Sequence, residues 1–360
     1  MRANGISLAL LNQVLDISKA DRATIIANKN EVKVLAQSKN YYVTGINTMV
    51  DVSEPGSLTI DKDFIKMFPK YDFVNIKDKV ISTQDRSLTI NRVLDNQVAE
   101  IEINEKIAEF ERLTFDEFVS NIYAVAQDET RPILQGIHFG INQGVLETCA
   151  LDGYRMAVRK LELIRSDKSI GSMEFTIHSD VINAVNKIKS NRDIYIYKNK
   201  DFVRFGTDYL YTTSKLLEGK FVNYNSLIPQ YFRTRIKVDA SELLKLLKSY
   251  KSRIVKFSIK SEEMLITATI EKAKSRRVTD PKTHKQVTEH YFETIAIVND
   301  KFPCKWQGEP IEIAFNPKYF IDALKDKKDE VEIKFTSAIS PIVIEQDDKT
   351  ELILPVRLVK

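Results

Sequence analysis

Three stretches of the chain repeat one pattern of apolar and polar positions. They are Leu58-Thr-Ile-Asp-Lys-Asp-Phe-Ile-Lys-Met-Phe68, Phe175-Thr-Ile-His-Ser-Asp-Val-Ile-Asn-Ala-Val185 and Ile313-Ala-Phe-Asn-Pro-Lys-Tyr-Phe-Ile-Asp-Ala-Leu324. Each opens with period-two alternation, which puts successive side chains on opposite faces of a strand. Each then passes a polar residue (Asp61, His178 or Asn316) and continues with paired apolar positions at helical spacing: Phe64/Ile65, Val181/Ile182 and Tyr319/Phe320. The polar residue stands where an N-cap would, although histidine is a poor one.

A second amphipathic stretch lies upstream of each: Ile6–Leu15, Thr114–Val125 and Asp239–Lys248. In the last two, Thr114 or Asp239 followed by Glu117 or Glu242 reads as a capping box. Alternating runs between the helices, such as Val32–Ala36, Tyr41–Thr44, Ile194–Tyr197, Val203–Phe205 and Leu265–Thr269, read as strands separated by polar turns. The pattern predicts an α+β unit used three times, over 1–108, 109–235 and 236–360. No Pro/Gly/Ser-rich linker marks either boundary, so adjacent repeats are expected to abut through continuous sheet. Three unrelated α+β domains would also fit this patterning.

At 360 residues the chain is long enough for two or three cores, and 43% hydrophobic residues suffice to fill them. The net charge of +4 does not by itself point to nucleic acid. Cys149 and Cys304 belong to no pairing motif and read as reduced, partly buried residues. The N-terminus does not resemble a signal peptide and no apolar run approaches ~20 residues, so a cytoplasmic chain is expected. Catalysis finds no support. Glycine is too scarce for a phosphate loop, at 11 residues, and Asp116/Glu117 and Asp347/Asp348 read as cap and turn residues. His138, His178, His284 and His290 lack metal-ligand partners, so neither a metal nor a cofactor is expected.

Five further motifs resemble, in order and spacing, the beta subunit family of bacterial DNA polymerase III, the sliding clamps. They are Arg131-Pro-Ile-Leu-Gln-Gly-Ile-His-Phe139, Ala150-Leu-Asp-Gly-Tyr-Arg-Met-Ala-Val158, Gly219-Lys-Phe-Val-Asn-Tyr-Asn-Ser-Leu-Ile-Pro229, Glu312-Ile-Ala-Phe-Asn-Pro-Lys-Tyr319 and Leu354-Pro-Val-Arg-Leu358. The first repeat is diverged and matches mainly by pattern. The resemblance implies a DNA clamp fold: three repeated clamp domains per chain, helices lining a ring, and a continuous antiparallel sheet outside. It implies a DNA sliding clamp that encircles duplex DNA without reading its sequence, associates with the nucleoid, and tethers a replicative polymerase without being an enzyme. A clamp-like decoy or regulator that binds replication partners without encircling DNA is the alternative.

The resemblance also implies three sites. A pocket for short peptide motifs of polymerase and clamp loader falls on Leu134, Leu151, Gly153, Tyr154, Arg155, Met156, Val222, Leu227, Asn316, Tyr319, Ile339, Pro341 and the tail Leu352, Ile353, Leu354, Pro355, Val356, Arg357 and Leu358. Its apolar members would take peptide anchors, and Arg155 or Arg357 would fix polar atoms. Phosphate contacts fall on Lys66, Lys70, Lys187, Lys189, Arg192, Lys245, Lys248, Lys251, Arg253, Lys318 and Lys325, although lysines on a solvated helix are common without any such role. A head-to-tail homodimer would join Leu88 and Ile90 of one chain to Leu246 and Leu247 of the next.

The chain departs from the family's pattern at Leu151, Tyr154 and Val222, in a shortened opening strand, and in Val359 and Lys360 beyond the usual end. Glu271–Tyr291 is longer and more basic than expected, with Lys272, Lys274, Arg276, Arg277, Lys282 and Lys285. Together with Pro281 this reads as an exposed, flexible hairpin loop.

Overall fold

The computed structural model describes residues 1–69, 71–91, 98, 100–142, 145–162, 172–188, 191–279 and 286–357. Six α-helices occur among them: α1 (Leu8–Ser18), α2 (Lys62–Lys66), α3 (Arg112–Phe118), α4 (Ser179–Val185), α5 (Ala240–Ser249) and α6 (Pro317–Leu324). The remaining described elements are mostly antiparallel strands.

The repeated strand-to-helix corner is present three times. Asp61, His178 and Asn316 each accept a hydrogen bond from the backbone N–H two residues on, in Asp63, Asp180 and Lys318. Each satisfies a donor that the first helical turn leaves unpaired, and the imidazole Nδ1 of His178 does so at 3.2 Å. Asp239 caps α5 as expected, accepting from Glu242 N–H at 2.8 Å.

Thr114 does not cap its helix. α3 begins earlier, at Arg112, with Glu111 at the N-cap and no capping side-chain bond. The helix expected to reach Val125 instead breaks into a 3-10 turn at Ser120–Ala124. The Thr148 hydroxyl donates to Phe118 O at 2.9 Å and receives Asn121 Nδ2 at 3.0 Å. This buried side-chain pairing claims the carbonyl that another α-helical turn would need.

Residues Met1–Ile122, Asp128–Thr148 and Leu161–Phe221 form one compact unit, and Tyr123–Gln127, Cys149–Lys160 and Val222–Lys360 a second. In the first unit, strand Leu210–Lys215 pairs antiparallel with Tyr42–Asn47, from Leu210 opposite Gly45 to Thr213 opposite Tyr42. One eight-stranded sheet thereby contains strands of the first and second repeats. α1 lies close on this sheet: a Cβ at Gly45 would stand 2.7 Å from Leu10 Cδ1 and 2.8 Å from Val14 Cγ2. Phe110 stacks on Phe118 at 5.7 Å and Phe139 on Phe175 at 5.1 Å, with Phe115 and Phe205 against them. Arg112 donates to the carbonyls of Val185 and Ile188, tying α3 to the C-terminal end of α4, where a helix dipole favours a cation.

In the second unit, strand Arg155–Glu162 of the second repeat pairs with Lys349–Ile353 of the third, from Arg155 opposite Ile353 to Arg159 opposite Lys349. The sheet continues through Ile342–Gln346, Glu330–Phe335 and Thr234–Asp239. Its core is built on Leu243 and Leu247 of α5, Phe320 and Leu324 of α6, and Phe257 and Phe315 on strands.

The stretch 271–291 is not a flexible loop in its described part. Glu263–Thr279 and Gln286–Pro303 form two long paired strands, with one register shift between Ile270 and Glu271, as far as Thr279 opposite Gln286. The signal missed was cross-strand pairing, which a reading of one strand does not show. Pro281, Lys282 and Lys285 lie outside the described residues.

Candidate partner-peptide site, cationic helices and joint

Asp152 organises the centre of the expected pocket. Its Oδ1 accepts from the N–H groups of Tyr154, at 2.8 Å, and Arg155, at 3.0 Å. The turn needs Gly153 at φ +91°, a conformation side chains resist. Arg155 is then consumed from within. Nε donates to Asp152 at 3.0 Å, Nη1 to Asp322 at 2.6 Å and Nη2 to Tyr123 O at 2.7 Å. Its guanidinium also lies 4.9 Å from the Tyr319 ring centroid. Arg155 therefore positions the turn rather than offering its donors to a ligand. Burial alone would raise the Asp322 carboxyl, but Lys325 and Arg155 outweigh it and hold the group below its ordinary range.

The turn leaves Tyr154 62% exposed. Its ring stacks on Tyr319 of α6, with centroids 6.3 Å apart and planes 16° apart. Its carbonyl accepts Leu354 N–H at 2.8 Å, while Val356 N–H donates to Ala314 O at 2.7 Å. The tail is thus tied down on both sides of Pro355. Val222, Leu227, Ile339 and Leu354 are exposed apolar side chains of the same unit. Asn316 is spent on the α6 cap, and Pro341 is half-buried. Met156, Leu151, Leu352 and Ile353 are buried strand residues, and Arg357 is exposed. Leu134 belongs to the other compact unit and is buried there. Leu358 lies outside the described residues.

A polar cluster that the sequence did not announce lies beside this turn in the same unit. Arg159 and Glu351, 2% and 1% exposed, pair at 2.7 Å. Arg159 also reaches Asp326 at 3.0 Å, and Lys327 binds Glu351 at 3.0 Å and Asp326 at 3.1 Å. Lys349 adds a contact to Asp326 at 3.2 Å, and the Tyr123 hydroxyl donates to Glu351. Burial and then the Glu351 carboxylate push the Tyr123 hydroxyl up, keeping its proton in that bond.

Of the eleven expected phosphate-contacting cations, Lys70 and Lys189 lie outside the described residues and the other nine are exposed. Lys66 is paired with Asp63 at 2.8 Å and Lys325 with Asp322 at 2.5 Å. Arg192 lies over Tyr209 and Arg253 over Phe292. Lys245 and Lys248 project from α5 and Lys318 from the first turn of α6.

At the expected joint, Leu88 is half-buried on strand Ser87–Thr89, and Ile90 is buried. On α5 the two leucines divide. Leu247 is fully buried in the core, while Leu246 is only partly buried against it. Among the described residues no helix is long and apolar enough to cross a membrane.

The central-domain profile of the DNA polymerase III beta subunit matches residues 109–223, and its C-terminal-domain profile matches 225–357, together more than two thirds of the chain. The beta sliding clamp of Bacillus subtilis is 28% identical over 395 aligned positions covering 97% of each chain. That of Synechococcus elongatus is 28% identical over 247, covering 66% of this chain and 61% of its own. The crystal structure of the Bacillus subtilis sliding clamp superposes with a TM-score of 0.79 at 23% identity, covering 99% of this chain and all of that one. The Thermotoga maritima beta subunit gives 0.79 at 20%, covering both chains fully. The strand-to-helix corners, the sheet pairing across repeats and these matches agree: the chain belongs to the DNA polymerase III beta subunit family, the bacterial sliding clamps.

Proposed function

We propose that this protein is a DNA sliding clamp, a non-catalytic ring that holds a polymerase on duplex DNA. The observation that carries this reading is the family match across the second and third repeats, joined to a fold whose sheet runs from repeat to repeat. A closed ring retains DNA topologically, so contacts to phosphate stay weak and indifferent to sequence while the polymerase gains effective concentration at the primer end. In this reading the three repeats are three clamp domains, and two chains close head to tail with no free sheet edge. The exposed cations of α5 and α6 supply the phosphate contacts. The decoy alternative has no observation in its favour.

The peptide site uses the exposed Tyr154–Tyr319 pair, Val222, Leu227, Ile339 and Leu354 as its contact surface. Asp152, Arg155 and Asp322 serve as its rigid frame. The decisive experiment loads the protein onto nicked circular DNA with a clamp loader and then linearises the DNA. Retention on the circle and loss on the linear product support the clamp, and equal retention on both refutes it. The double variant Tyr154→Ala/Ile339→Ala, at two exposed positions, should weaken a polymerase-derived peptide by about tenfold or more while leaving the melting temperature unchanged. Unaltered affinity by calorimetry would remove these residues from the site.

A further inference from the structure

We propose that Tyr123 is a positioning residue of the partner-peptide site, one that holds the turn presenting Tyr154 in fixed relation to the strand that leads to Leu354. The proposal rests on the peptide reading above. Tyr123, the turn and the last strand all belong to the second compact unit. Strand Arg155–Glu162 starts at the turn, and Lys349–Ile353 pairs with it and runs on into the tail. Alternate residues of a strand share a face. Arg155, Ala157 and Arg159 therefore share one, with Lys349 and Glu351 of the neighbouring strand on the same side. Glu351 stands across from Ala157, between the two arginines. The ladder ends at Arg155 opposite Ile353, so Tyr154 and Leu354 both lie just past it, where pairing frays most readily. There Leu354 N–H donates to Tyr154 O at 2.8 Å.

Tyr123 binds that face at two points. Its carbonyl accepts Arg155 Nη2 at 2.7 Å, and its ring centroid lies 5.2 Å from the guanidinium. Its hydroxyl donates to Oε2 of Glu351. Glu351 is 1% exposed, and its Oε1 already takes Arg159 at 2.7 Å and Lys327 at 3.0 Å. Arg155 carries the tie outward to Asp152, which shapes the turn, and to Asp322 of α6. A circuit of bonds thus runs from the turn through Arg155, Tyr123 and Glu351 to the last strand, and closes between Leu354 and Tyr154. Phenylalanine would fill the space of the Tyr123 ring, so the hydroxyl serves the bond and not the packing. A surface already held in its binding arrangement loses less on capturing a peptide than one the peptide must order. Tyr123 acts through Arg155 and Glu351 and not by touching the peptide.

The test compares the full-length protein with Tyr123→Phe, which keeps the ring and the carbonyl and removes only the hydroxyl. Amide hydrogen exchange is followed by mass spectrometry over residues 150–156 and 351–357. Both segments should exchange about tenfold faster in the variant, while α5 and strand Ile342–Gln346 keep wild-type rates. Uniform acceleration across the unit would mean a role in stability alone and overturns the proposal, as do unchanged rates at both segments. Calorimetry with a polymerase-derived peptide should show affinity lowered about three- to tenfold. Arg155→Lys keeps a cation beside the aspartates but gives up the bond to the Tyr123 carbonyl, and so cuts the tie from the turn side. It should lose at least as much affinity, and it decides the matter if Tyr123→Phe does not fold. Wild-type affinity in a folded form of either variant, beside a weakened Tyr154→Ala/Ile339→Ala protein, refutes the role of Tyr123 alone. A peptide that binds the wild type and Tyr154→Ala/Ile339→Ala equally, or binds neither, refutes the peptide site itself and the role with it.

Discussion

The buried ion cluster shows at the scale of single residues how much depends on partners being complete. Burial alone would raise the Asp326 carboxyl, but Arg159, Lys327 and Lys349 outweigh it and bring it from the ordinary 3.8 to about 2. A carboxyl lowered by folding contributes stability that is fully present above the unfolded value and fades as the pH falls through the folded one. Asp326 should therefore supply about 2 kcal/mol at neutral pH that is lost between about pH 4 and pH 2. Asp326→Asn should flatten that part of a stability-versus-pH curve measured by urea titration, and an unchanged acid limb would deny the group this role. Truncating Arg159 to Ala leaves Glu351 buried with only Lys327 and the Tyr123 hydroxyl of its three partners and should cost about 3–5 kcal/mol. None of this was legible in the sequence. Lys325-Asp326-Lys327-Lys328-Asp329 reads as a solvated charge run, and only the pairing of strands 155–162 and 349–353 brings Arg159 and Glu351 to it. The Asp152 turn was more accessible, because Asp-Gly carries its own local geometry. The internal commitment of Arg155 needed Asp322 from a distant helix.

At the scale of elements, local signals were read well and competing ones were not. The caps at Asp61, His178, Asn316 and Asp239 depend on neighbours two or three residues away, and all four are present. Thr114 failed because α3 starts before it, at Arg112, while a tertiary partner, Thr148, ends that helix at its other end by binding Phe118 O. Helical periodicity grouped Leu246 with Leu247, yet the burial of α5 separates them. A lysine at Leu246 can keep its charge in solvent, whereas one at Leu247 must be buried in the core. Leu246→Lys should give a folded chain whose dimer, if this helix forms the joint, is broken by light scattering. Leu247→Lys should lower stability by several kcal/mol whatever the oligomeric state, as followed by circular dichroism. A dimeric Leu246→Lys protein would move the joint elsewhere. Gly45→Ala makes a separate point about close approach. Its methyl would press on Leu10 and Val14 and should cost about 1–3 kcal/mol, read as a lower melting temperature.

For the whole molecule, the repeat predicts three similar units, and sheet pairing between repeats gathers their residues into two compact units. Strand Leu210–Lys215 completes a sheet begun near residue 22, and Lys349–Ile353 completes one that includes Arg155–Glu162. This bears on the molecule during its synthesis. While the ribosome is still short of residue 349, strand 155–162 has emerged without its partner and presents an unpaired edge to every neighbouring chain. Such distant pairing is slow to form and leaves apolar surface open in the meantime. A chain cut short before Lys349 would therefore carry a raw edge along Arg155–Arg159, a substrate for chaperones and proteases. Quality control of the newly made protein thus turns on whether Lys349–Ile353 has reached that edge.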